Sequence, residues 1–147
     1  MLTRTSTLQK MDVALADLHV FYQKLRNYHW NVKGQDFFKL HELFQTLYTE
    51  AADHIDLLAE RMLGMGGRPT SNLRQYLAMT GLKEEEGTPD ARGMVTRVSE
   101  DMTLLMNSMI EIAASADENQ DRTTAALMDE IVTGYEKHLW MMRSFLA

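Results

Sequence analysis

Apolar residues recur along this chain in alternating steps of three and four, the spacing that lines one face of an α-helix. The first run is Leu8, Met11, Leu15, Leu18, Tyr22 and Leu25, and His29 takes the next position on the same stripe. Thr5 to Thr7 offer N-caps and Gly34 a stop, so a helix is predicted over about 5–32. A second run holds Phe44, Tyr48, Ala51, Ile55, Leu58 and Met62, and His41 begins it. Asp36 is its expected cap, and Gly64, Gly66, Gly67 and Pro69 end it near Leu63. Val95, Val98, Met102, Leu105, Met109, Ile112 and Ala116 mark a third helix over about 89–116, with Thr88 as cap and Pro89 in its first turn. Met128, Ile131, Tyr135, Leu139, Met142 and Leu146 mark a fourth over about 121–146.

Four long amphipathic helices with an extended second-to-third connection make this an all-α protein, a single domain over 1–147. The length of that connection points to a ferritin-like four-helix bundle rather than a simple up-and-down one. Within it, Ser71 to Met79 leaves room for a short extra helix with Leu73, Tyr76 and Leu77 on one side. Gly81 to Gly93, carrying Glu84 to Glu86, reads as a solvated loop. The methionines at 102, 106, 109, 128, 141 and 142 read as core filler rather than metal ligands.

Composition narrows the chemistry. The chain has no cysteine, so disulfides and thiolate ligands are excluded and a metal site must draw on His, Asp, Glu and water. The formal net charge is -6, and the first ten residues hold only Arg4 and Lys10 as basic groups. Nucleic-acid binding needs clustered cations, so DNA binding is expected to be weak or absent. No apolar run approaches a membrane span, and residues 1–10 lack the apolar core of a signal peptide, so a cytoplasmic location with no membrane partner is expected.

The chemistry-bearing residues cluster in 29–60. His41, Asp56 and Glu60 lie on one uninterrupted helical segment, and at 1.5 Å rise His41 is roughly 22 Å from Asp56 and roughly 28 Å from Glu60. No single ion bridges that gap. An antiparallel pairing of this helix with a second copy about a two-fold axis near residue 50 sets His41 opposite residues 58–60 of the neighbour. Positions 41, 45, 52, 56 and 60 share an arc of roughly 100° on the helical wheel. The pattern predicts an inter-subunit site with nitrogen and oxygen ligands: His29 and His41 from one chain, Asp56 and Glu60 from the other. Other templates fail. No Glu is followed three residues later by His, as an intrachain di-iron bundle requires, and His41-Glu42 lacks the second His of a zinc-protease helix because Gln45 stands there. His19, His54 and His138 lie off this arc and read as structural or surface residues.

Y-H-W-N-V-K-G at 28–34, F-F-K-L-H-E-L-F at 37–44 and H-I-D-L-L-A-E-R at 54–61, with G-G-R-P and K-H-L-W-M further on, resemble the Dps family of bacterial mini-ferritins. The resemblance implies a homo-oligomeric shell, a dodecamer built on two-fold dimers, with a ferroxidase site at each two-fold. It implies that His29, His41, Asp56 and Glu60 are both catalytic and iron-binding, with Trp30 beside them. The substrates it implies are Fe(II) and hydrogen peroxide or dioxygen, and the ferric product is stored as mineral, which protects against oxidative damage. Gln45 departs from the family, which usually has Asp there, so the resemblance leaves open a non-haem di-iron or a mono-iron site. Asp117, Glu118 and Asp121 read first as solvated charge, the alternative being the lining of a three-fold entry pore. DNA compaction, from which the family takes its name, is the rival role.

Overall fold

The computed structural model describes residues 2–147, with side chains from Thr5 onward, so the Arg4 side chain lies outside the described residues. Five helices make up the regular structure, and among the described residues there is no strand: α1 (Leu2–Asn31), α2 (Phe37–Gly64), α3 (Leu73–Met79), α4 (Ala91–Glu118) and α5 (Arg122–Leu146). Helix α1 packs against α2, α3 and α4, and α4 against α5. The predicted stripes are the core: Met11, Leu15, Leu18 and Leu25 of α1, Phe44 and Leu58 of α2, Val95, Leu105 and Ile112 of α4, and Met128 and Tyr135 of α5 are buried. The architecture is the predicted ferritin-like bundle with a short helix in the long connection. No helix is long and apolar enough to cross a membrane.

Several boundaries move, each for a local reason. Helix α1 starts ahead of Thr5 to Thr7, so these residues lie inside it rather than capping it, and buried Thr7 instead meets Ser115 of α4 at 2.5 Å. Asp36 occupies the N-cap position of α2 but its side chain makes no capping bond. Helix α4 begins after Asp90 rather than at Pro89, because the Asp90 carboxylate accepts from the Gly93 N–H and a carboxylate caps more strongly than Thr88. In α3 Tyr76 is buried, stacked on His19 with ring centroids 4.0 Å apart, and half-buried Met79 packs against the core, while Leu73 and Leu77 are exposed. Of the six core-filler methionines, 102, 109, 128 and 142 are buried, Met106 is half-buried and Met141 is exposed.

The connection between α2 and α4 is held down by carboxylates rather than left solvated. Asp12 accepts from the Thr70 N–H and hydroxyl at 2.9 and 2.6 Å, and buried Asp17 accepts from the Thr80 hydroxyl and Gly81 N–H at 2.6 and 2.8 Å. Glu84 and Glu86 are exposed as expected, but Glu85 turns inward, where it accepts from the buried Tyr28 hydroxyl at 2.5 Å and pairs with Arg97. A residue that merely kept the loop soluble would have no such partners. Behind it, Lys24 of α1 and Asp101 of α4 form a buried ion pair at 2.7 Å.

Helices α2 and α4 end in the same hydrogen-bond pattern. After α2, Gly66 and Gly67 donate to Leu63 and Met62; after α4, Gln120 and Asp121 donate to Asp117 and Ala116. This is the Schellman arrangement, which needs a left-handed residue at its turn. Gly66 adopts φ 87° without strain, and Gly67 allows close approach, since a Cβ there would lie 2.7 Å from a Leu8 methyl. Gln120 adopts φ 61° despite its side chain.

Two outcomes follow from these elements. Gln120→Gly relieves the left-handed cost and is expected to stabilise the protein by about 0.5–1 kcal/mol in urea unfolding. Burial pushes the Glu85 carboxyl up, but the bonds from Arg97, Tyr28 and the Gly87 N–H outweigh it and hold it at about 2, below the ordinary 4.5. A depressed folded value means the contribution is complete above about 4.5 and is lost as pH falls towards 2. Glu85→Gln is therefore less stable than the parent at neutral pH, and the difference should shrink through that acid window when unfolding is followed at several pH values.

Candidate functional site

His29 sits in the last turn of α1 and His41 in the first turns of α2, joined by the short link at 32–36. The link bends back through Gly34, whose φ of 110° belongs to glycine. The two histidines then clasp the corner. His29 Nδ1 lies 2.7 Å from the His41 carbonyl oxygen, and His41 Nδ1 lies 2.7 Å from the His29 carbonyl oxygen. A carbonyl oxygen only accepts, so each Nδ1 carries the proton and donates it, and in the neutral imidazole the lone pair resides on Nε2. The His29 carbonyl is among the last of α1, which have no partner within the helix, so His41 also acts as a side-chain cap.

The two imidazoles stack, with centroids 3.8 Å apart and planes within 12°. Phe37, one helical turn before His41, stacks against it at 5.0 Å and 19°. Tyr48 meets His29 edge-on at 5.3 Å and 81°, and meets Tyr22 of α1 at 5.8 Å. His29 is buried and His41 half-buried. Trp30 is exposed, with the Arg26 guanidinium 4.9 Å above its ring.

Asp56 and Glu60 stand further along α2, both exposed. The helix is unbroken from Phe37 to Gly64, so the axial separations of roughly 22 and 28 Å from His41 stand. The chain therefore brings His29 and His41 together and leaves Asp56 and Glu60 apart from them. Among the described residues no group of three or more His, Asp or Glu side chains gathers as a metal-binding cluster. Gln45 is exposed on the same helix.

The remaining histidines are engaged elsewhere. His19 Nδ1 donates to the Leu15 carbonyl at 2.8 Å. His138 Nε2 lies 2.9 Å from a Glu50 oxygen, and His54 Nδ1 lies 3.4 Å from the buried Tyr135 hydroxyl, so both tie α2 to α5. Burial lowers the His54 value and favours its neutral form. Asp121 accepts from the Thr124 N–H and hydroxyl at the start of α5 and pairs with Arg61 of α2 at 3.1 Å, whereas Asp117 and Glu118 are exposed. The aromatic frame of Phe37 and Tyr48 was not singled out from sequence, although Phe37 and His41 stand four apart on one helix, the spacing of side-chain neighbours.

Residues 8–147 match the ferritin-like domain family. The DNA protection during starvation protein of Brevibacillus brevis is 44% identical over 147 residues, which span 97% of this chain and 99% of that one. The crystal structure of a Dps protein from Bacillus brevis superposes with a TM-score of 0.97 at 41% identity, covering 100% of this chain and 99% of the other. The Dps protein of Vibrio cholerae O1, described as a member of a broad superfamily of ferritin-like diiron-carboxylate proteins, superposes with a TM-score of 0.96 at 32% identity over 99% of this chain and 92% of its own.

The clasp and the carboxylates differ in what they do for the fold. His41→Ala removes a side-chain bond to the end of α1 and a stacked ring, and is expected to destabilise by about 1–2 kcal/mol. Asp56→Asn, on an exposed face, should change stability by less than about 0.5 kcal/mol. Urea unfolding of the two variants side by side checks the contrast.

Proposed function

Since this chain belongs to the Dps family of ferritin-like proteins, we propose that it is a ferroxidase and iron store that oxidises Fe(II) at sites shared by two subunits and holds the ferric product inside a shell. His29 and His41 of one subunit and Asp56 and Glu60 of its partner bind the Fe(II) substrate. The observation that carries this reading is the pair of reciprocal Nδ1 bonds, which commits both imidazoles to the tautomer whose Nε2 is available to a cation. Imidazole and carboxylate suit Fe(II), and the carboxylates favour the more highly charged Fe(III) product. The rigidity of α2 favours two chains over one, because a two-fold partner supplies the carboxylates that its own helix holds out of reach.

The finer parts of the proposal are a dodecamer assembled from two-fold dimers and hydrogen peroxide as the oxidant, with dioxygen the alternative. Two Fe(II) ions give one electron each, the peroxide O–O bond takes both together with two protons from solvent, and two waters form without a free hydroxyl radical. Gln45 offers a neutral amide where a carboxylate would bind a second cation more strongly, so the second Fe(II) of each pair is held more weakly than the first. A net charge of -6 sets duplex DNA aside as a strong partner.

Fe(II) added without oxygen and then treated with peroxide should give ferric absorbance well above a buffer control, and no difference from that control sinks the iron reading. The shared site has its own test. A His29→Ala/His41→Ala chain co-expressed with an Asp56→Asn/Glu60→Gln chain should recover roughly one quarter of wild-type oxidation, because half of random pairs are mixed and each mixed pair holds one intact site. Each variant alone should be inactive, and a mixture no better than the two separately rules out sharing.

A further inference from the structure

A hydrogen bond from Nδ1 tolerates a spread of angles, so by itself it leaves the imidazole some play in its tilt. The tilt, and with it the direction of the Nε2 lone pair, is decided by whatever lies against the ring. In this chain the neighbours are aromatic: Phe37 lies against His41, His41 against His29, and Tyr48 edge-on to His29. Tyr48 is in turn braced by the Tyr22 ring of α1. Neither Phe37 nor Tyr48 is among the fully buried side chains of the core, and both are half-buried beside the histidine corner.

We propose that Phe37 and Tyr48 are positioning residues, which hold the stacked His41 and His29 rings at the tilt that lets them take up Fe(II). The inference rests on the reading of His29 and His41 as iron ligands. Two physical effects act in the same direction. The aromatic contacts restrict the rings before the cation arrives, so less motion is lost on binding. Once Nε2 donates to a cation the imidazole becomes electron-poor, and the π face of Phe37 stabilises it more than it stabilised the free ring. The second effect distinguishes an aromatic ring from any apolar group of the same size.

The test compares Phe37→Leu and Tyr48→Leu with the ring-preserving Phe37→Tyr and Tyr48→Phe, all in the full assembled protein. Affinity for Fe(II) is measured by calorimetric titration without oxygen, and the visible absorption of bound Co(II) reports the ligand geometry. Each leucine variant is expected to bind Fe(II) about three- to ten-fold more weakly, in line with the energy of one aromatic pair. Its Co(II) spectrum should shift, and its oxidation rate at saturating Fe(II) should change less than its affinity. The ring-preserving variants should behave as the parent. Phe37→Met replaces Phe37→Leu if the latter fails to fold. Leucine variants that bind as the parent does, while His41→Ala loses binding, overturn the proposal. Ring-preserving variants that lose affinity along with thermal stability assign both residues to packing alone and overturn it too. If His29→Ala and His41→Ala both bind Fe(II) like the parent, the ligand reading fails first, and the positioning role goes with it.

Discussion

Helix α1 is the element on which the others are laid. Its buried stripe supplies one wall to α2, α3 and α4 at once, so the position of every other part is referred to it. The polar side of the same helix is also in use. Asp12, Asp17 and Tyr28 hold the long connection, Lys24 pairs with Asp101 of α4, and His29 closes the corner onto α2. A buried charge is tolerable only with a partner in place. These contacts therefore restrict how the connection can run as well as adding to its stability.

The histidine corner joins fold and chemistry in one set of atoms. Each imidazole spends its Nδ1 proton on the backbone of the other helix, which satisfies a carbonyl at the end of α1 and presets the tautomer of the ring. That leaves the lone pair of each neutral ring on Nε2. In the shared-site reading, half of the ligand set is built by folding and the other half by association, because α2 is too stiff to bend Asp56 and Glu60 back towards its own N-terminus.

Much of this was legible in the residues. Stripes with steps of three and four located the four long helices to within three residues at each end, because burying a continuous apolar face is the strongest demand on such segments. The separation of His41 from Asp56 and Glu60 was legible for the same reason, since axial rise follows from helical geometry alone. Where competing short-range signals met, the reading slipped. Thr88-Pro89 looked like a start, yet Asp90 captured the free Gly93 N–H, and Gln120 entered a left-handed turn that no glycine announced.

The sequence by itself determined the helices, their buried faces and the impossibility of a one-ion site on a single α2, because each depends only on local periodicity and a fixed rise per residue. Tertiary structure alone decided which polar side chains meet. Glu85 sits in an acidic run like its neighbours, and only the approach of Tyr28 and Arg97 from α1 and α4 makes it a buried anchor. Likewise, nothing in the spacing of His29 and His41 shows that each donates to the other's backbone. That contact depends on how sharply the link through Gly34 turns and on how close two helices pack, and both are outcomes of burying the whole core.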